Sequence, residues 1–136
     1  MKIKSEVFDA ENSQLRIALE GEFSLAEAQA QFVDILDGVV KHQARTVLVD
    51  GRTLTGVPDS VQRYLYGEFV AKAVGAVSGR GLVKTPRFAY VLQDPVRDPG
   101  RLGQMVAKNR GMNVQTFDNM SDAEHWLAVT GPARIE

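Results

Sequence analysis

The chain has 136 residues, 44% of them hydrophobic and 24% charged, the composition of one soluble globular domain long enough to bury a core. Its net charge of −1 excludes a general nucleic-acid binder, which needs a basic face to replace phosphate counterions. The absence of cysteine removes disulfides, thiolate metal sites and cysteine nucleophiles together, and a reducing, cytoplasmic setting is expected.

In chain order, a ragged alternation over Ile3 to Phe8 predicts a first strand, closed by the turn formers Asp9 to Asn12. Leu15, Ile17 and Leu19 alternate with Arg16, Ala18 and Glu20 and predict a half-buried second strand, paired with the first as an antiparallel hairpin. Residues 1–20 contain no signal-peptide core, and no apolar run approaches the roughly 18 residues of a spanning helix, so no membrane span is expected. Ser24 and Glu27 are spaced as a capping box. The helix they open carries Leu25, Ala28, Phe32, Ile35, Leu36, Val39 and Val40 on one face, with Gln31, Asp34 and Lys41 opposite, and ends near His42. Thr46 to Val49 reads as a buried strand, and Asp50-Gly51-Arg52 as a structural turn leaving it.

Pro58 suits a first helical turn, with Asp59 or Ser60 as the cap. Val61, Leu65, Phe69, Ala73 and Val77 then lie four apart, with Tyr64, Tyr66 and Val70 nearby. A break at Ser78-Gly79-Arg80-Gly81 precedes a buried strand at Phe88 to Leu92, stopped by Asp94-Pro95. A third helix is expected from about Pro99 to Arg110, burying Leu102, Met105 and Val106, with Gly111 as its left-handed cap. Val114 to Phe117 predicts a last strand. Ser121 and Glu124 form a second capping-box pattern before a helix bearing Trp126, expected to pack on the last strand and the first helix. The order β-β-α-β-α-β-α-β-α predicts a single α/β domain over 1–136. Its sheet is mostly parallel, of four to five strands, flanked by four helices, with an N-terminal antiparallel hairpin.

Three stretches carry a family resemblance: Glu20-Gly21-Glu22-Phe23-Ser24, Val47-Leu48-Val49-Asp50-Gly51-Arg52, and Val106 to Val114 with the following Phe117 and Asp122 to Leu127. Together they resemble small bacterial proteins of the SpoIIAA-like, or STAS-like, group over nearly the whole chain. The resemblance implies a β-α superhelix with helices flanking a sheet, and no catalysis. In anti-sigma-factor antagonists of this fold, a serine at the start of the second helix is phosphorylated to control partner binding, within Asp-Ser followed by a small residue and glycine. Asp59-Ser60 falls at that place here, with Val61-Gln62 in the two following positions. At the level of fold, lipid-carrying CRAL-TRIO domains are a more distant likeness.

The candidate sites each have a plain structural reading beside the functional one. Asp50 and Asp94 both end buried strands, where ligands of open α/β sheets bind, and as neighbours they would suit a cation or acid–base work, but Asp there commonly caps a turn and a nearby Arg such as Arg52 commonly neutralises it. A phosphate on Ser60 would sit on a helix N-terminus, yet capping alone explains Asp59 and Ser60. Arg97, Arg101, Lys108 and Arg110 are a basic run that suits a phosphate or an acidic partner, or a solvated face. His42 and His125 have no carboxylate at ligand spacing, and neither metal nor cofactor is expected. The apolar second helix, with Tyr64 and Tyr66, points to protein contact. The expectation is a non-enzymatic regulatory or scaffold domain that binds protein, itself first as a homodimer. The alternative is a carrier of a small apolar or acidic ligand between sheet and helices.

Overall fold

The computed structural model describes residues 1–129. Its elements are β1 (Lys2–Asp9), β2 (Gln14–Glu22), α1 (Leu25–His42), β3 (Thr46–Thr55), α2 (Ser60–Val77), β4 (Arg87–Leu92), α3 (Leu102–Asn109), β5 (Val114–Phe117) and α4 (Met120–Val129). The sheet has five strands in the order β1-β2-β3-β4-β5. β1 pairs antiparallel with β2, with a register shift between Ile3 and Ser5, and all other pairs are parallel. This is the α/β architecture expected from the sequence.

Because β2 to β5 follow one another in one direction across the sheet, right-handed crossovers place α1, α2 and α3 on the same face. The main core accordingly joins Phe32, Ile35 and Val39 of α1 and Val70 and Val74 of α2 to Leu15, Val47, Val49 and Phe88 of the sheet. α4 follows the last strand, makes no crossover, and covers the opposite face: Ala123 and Leu127 pack on Leu48, Ala89 and Val91. Trp126 therefore does not reach α1. Its ring lies 5.7 Å from that of Phe117, with the Arg87 guanidinium 5.6 Å from its centroid.

Several local expectations change in the folded chain. Asp50-Gly51-Arg52 is no exit turn, because β3 runs through it to Thr55. Ala18 faces Asp50 but Glu20 faces Thr53, so β3 bulges there by one residue. Gly51 leaves room for two leucines: a Cβ would stand 2.7 Å from Leu92 Cδ2 and 2.9 Å from Leu54 Cδ1, so those side chains would have to turn aside. Ser24 caps α1 by accepting from Glu27 N at 3.4 Å, but Glu27 holds the Met1 ammonium at 3.0 Å instead of closing the box. Gln31 is buried, its amide donating to the Met1 carbonyl.

At α4 the cap is Asn119, which accepts from Asp122 N at 2.8 Å, while Glu124 pairs with Arg16 at 3.0 Å. α3 begins three residues later than expected from Pro99, at Leu102. The Asp98 carboxylate gathers the N–H groups of Gly100 and Leu102 at 2.9 Å each, and those bonds hold it below the usual carboxylate range, Leu102 contributing most. Met105 is 54% exposed rather than buried. Gly111 has φ +93°, the left-handed terminus expected after α3.

The four-apart row on α2 is not one buried face. A step of four residues turns a helix by about 40° beyond a full circle. The row therefore winds from solvent at Val61, 65% exposed, through Leu65, 38% exposed, to half-buried Phe69, Ala73 and Val77. The buried stripe is instead Gly67, Val70, Ala71 and Val74.

Candidate functional site

The carboxyl ends of β3, β4 and β5 meet α2 and α3 around an apolar cavity of about 120 Å³. Leu19, Leu54, Leu92 and Val114 of the sheet and Val70 and Ala107 of the helices form much of its wall. α2 and α3 approach closely enough to roof it because Gly67 meets Gly103 at the crossing: a Cβ on Gly67 would lie 2.4 Å from the Gly103 carbonyl oxygen. An engineered apolar cavity of about 150 Å³ stays dry and takes up benzene, so this space is of a size to hold a ring or a short branched chain.

Within the apolar wall sits a hydroxyl pair. Tyr90 lies in the middle of β4, 7% exposed, with Val49 and Thr116 as its register neighbours. Tyr66 on α2 turns its hydroxyl inward to 2.9 Å from that of Tyr90, the rings meeting edge to face with centroids 6.4 Å apart. Burial pushes the Tyr66 hydroxyl up to about 12 and that of Tyr90 well above its ordinary value, so both stay protonated in neutral water. Beside them Gln104 Oε1 accepts from Thr116 N at 2.8 Å and from Thr116 Oγ1 at 3.0 Å.

The rim is fixed by Arg63. Its guanidinium donates to the carbonyls of Pro58 at 3.1 Å, Val96 at 3.1 Å and Pro95 at 2.8 Å, tying the loop before α2 to the loop after β4. Arg101 is exposed and adopts a left-handed conformation, φ +56°, at the start of α3.

The residues singled out by sequence divide between this cavity and the surface. Tyr66 belongs to the cavity and not to an outer contact face, because its position on α2 points toward the sheet. Arg101 lines the rim. Tyr64 remains at the surface, where Arg110 donates to its hydroxyl at 3.2 Å and to Glu68 at 3.3 Å, clamping α2 to the end of α3. Asp50 and Asp94 pair with separate arginines and not with each other: Asp50 is hydrogen-bonded to Arg52, and the exposed Asp94 lies beside Arg97. Arg52 Nε and Nη2 reach the two Asp50 oxygens at 2.9 Å each, which holds Asp50 below the usual carboxylate range. Arg97 Nε lies 3.2 Å from Asp94.

Asp59, not Ser60, caps α2: its carboxylate accepts from Gln62 N at 2.8 Å and Gln62 Oε1 accepts from Asp59 N at 2.9 Å, a complete capping box. Ser60 is the exposed first residue of the helix. The basic run divides: Arg97, beside Asp94, and Arg101 line one shallow surface pocket with Asp118, Asp122 and His125, while Arg110 sits on Glu68 and Lys108 is exposed. His42 stacks on Phe8 with ring centroids 4.2 Å apart. Among the described residues no cluster of His, Asp and Glu is placed to hold a metal, and no helix is long and apolar enough to cross a membrane.

Sequence reasoning missed Tyr90, Arg63, Gln104 and Thr116. One signal was present for Tyr90: it is the single hydroxyl inside the continuous apolar run Phe88-Ala89-Tyr90-Val91-Leu92, and a buried hydroxyl requires a partner.

No protein-family model and no curated protein matches the chain. Among solved structures it is similar to the crystal structure of an uncharacterized protein from the DUF3478 family, with a SpoIIAA-like fold, from Shewanella loihica PV-4. The two share 17% sequence identity over 84% of this chain and 83% of that one, with a TM-score of 0.47.

Proposed function

We propose that this protein is a non-catalytic binding domain that carries a small apolar molecule in the cavity between its sheet and α2 and α3. The observation behind this reading is the cavity itself: about 120 Å³ of almost wholly apolar lining at the carboxyl ends of parallel strands, the place where open α/β sheets take ligands. Asp50 and Asp94, the carboxylates an acid–base enzyme would use, lie outside its lining, each beside an arginine. The test is native mass spectrometry of protein taken gently from cells, together with a titration against small apolar probes. Wild type is expected to carry or take up such a molecule. Val70→Phe, which fills the cavity from α2, is expected to lose it while still unfolding cooperatively. A wild type that binds no apolar probe at all refutes the reading.

A second reading, protein contact, is favoured by one feature: Val57, Val61 and Leu65 expose 75%, 65% and 38% of their surface close together at the start of α2. In this reading they form the face of a homodimer. Light scattering at high micromolar concentration should then give twice the monomer mass, and Leu65→Lys should halve it. A monomeric wild type removes this reading.

A further inference from the structure

The polar groups of the cavity are unbalanced in one direction. In the Tyr66–Tyr90 pair one hydroxyl donates and the other accepts, so the accepting oxygen keeps a proton that has no acceptor among the described residues. Gln104 has given its carbonyl oxygen to Thr116, and its two amide protons likewise have no acceptor among the described residues. The surplus is of donors: the half-buried Gln104 amide can turn to water, and the donor costly to leave unmatched is the hydroxyl proton of the buried pair.

Two of the rim charges already have backbone partners. Arg63 spends its guanidinium on three backbone carbonyls, and Asp98 accepts two backbone N–H groups. Arg101 is exposed to water. An anion carried in to the hydroxyl pair would leave Arg101 behind at the exposed rim and meet only neutral donors there, and burying a charge that way costs more than those hydrogen bonds return.

Resting on the reading of this cavity as a binding site, we infer that it selects an uncharged ligand: a compact apolar body bearing one oxygen acceptor, such as a ketone, ester or lactone carbonyl, received by the Tyr66–Tyr90 hydroxyls. The apolar wall takes the body, and the free O–H aims the carbonyl at the centre of β4.

The test uses three probes of similar size: acetophenone, ethylbenzene and benzoate. Each is titrated by NMR into wild type and into Tyr66→Phe/Tyr90→Phe. Comparing a probe with itself across the two proteins cancels its transfer out of water. Acetophenone is expected to weaken about fivefold in the double variant, the worth of one neutral hydrogen bond, while ethylbenzene holds or tightens. Either single variant keeps one hydroxyl and should keep most of the acetophenone affinity. A second measurement needs no variant: the carbonyl stretch of acetophenone bound to wild type should lie below its frequency in cyclohexane.

Equal changes for acetophenone and ethylbenzene, or an unshifted carbonyl stretch, overturn the inference and leave the cavity reading intact. Benzoate binding wild type more tightly than acetophenone overturns the assignment of an uncharged ligand. Failure of acetophenone and ethylbenzene alike to bind wild type overturns both the inference and the cavity reading.

Discussion

Two glycines of α2 give a controlled test of the packing that roofs the cavity. Gly75 is exposed, and a Cβ placed there would meet nothing within 4 Å. Gly75→Ala should therefore return only the helix-propensity gain, about 1 kcal/mol. Gly67→Ala brings the same gain, but its Cβ would stand 2.4 Å from the Gly103 carbonyl oxygen and 3.1 Å from both the carbonyl carbon and Cα. The obstacle is backbone, so no rotamer relieves it, and α2 and α3 must separate by roughly 1 Å to restore ordinary contact. Overpacking of this kind costs about 1–3 kcal/mol, and a rigid obstacle belongs at the upper end. The net expectation is a loss of about 2 kcal/mol for Gly67→Ala against a gain of about 1 kcal/mol for Gly75→Ala. Urea unfolding followed by circular dichroism at 222 nm reads both, and Tm should move in opposite directions by about 3 °C per kcal/mol for a domain of this size. Equal stabilities for the two variants would refute the Gly67–Gly103 crossing.

Asp59→Ala should cost about 1 kcal/mol in thermal melts by opening the cap of α2, while Ser60→Ala should be close to neutral; the reverse order would move the cap to Ser60. Trp126→Ala should cost less than the roughly 3–5 kcal/mol of a fully buried aromatic, because its ring is half-exposed between Phe117 and Arg87; a loss within that full range in urea melts would mean a deeper site. Acid titration should weaken the fold below about pH 4. Asp50, held low first by its hydrogen bonds from Arg52, contributes stability above the unfolded carboxylate pKa and loses it as pH falls through the lower folded value. Asp50→Asn should flatten that acid limb, and an unchanged limb by stopped-pH melts would show the pair contributes nothing.

Much of the architecture was readable from spacing. The period of α1, the apolar runs of β3 and β4 and the Gly111 terminus are local patterns, and local patterns are written in consecutive residues. The errors came where two local rules competed. Asp50-Gly51 is turn chemistry, yet the apolar run around it belonged to a strand, and a bulge accommodated both. Ser121 and Glu124 matched a capping box, but Asn119 lay nearer the true start of α4 and Arg16 drew Glu124 across to β2. The apolar composition of α2 points Tyr66 to a contact face, but composition does not say which side of a helix meets the sheet, and Tyr66 faces inward to Tyr90. The cavity was not legible, since it depends on a helix residue and a strand residue 24 positions apart sharing one hydrogen bond.

Strand order across the sheet is identical to strand order along the chain. Each strand therefore docks only on the one before it, and no strand has to wait for a partner not yet made. During synthesis the hairpin of β1 and β2 can form first, and every later β-α unit then adds to an edge already in place. Each parallel pair is joined by a connection that carries one helix, the longest running over residues 56–86 between β3 and β4. Among the described elements α4 docks last, on the β3–β5 part of the second face, so the apolar strip of Leu48, Ala89 and Val91 stays uncovered after the sheet is complete, and it is a surface a nascent chain would need shielded.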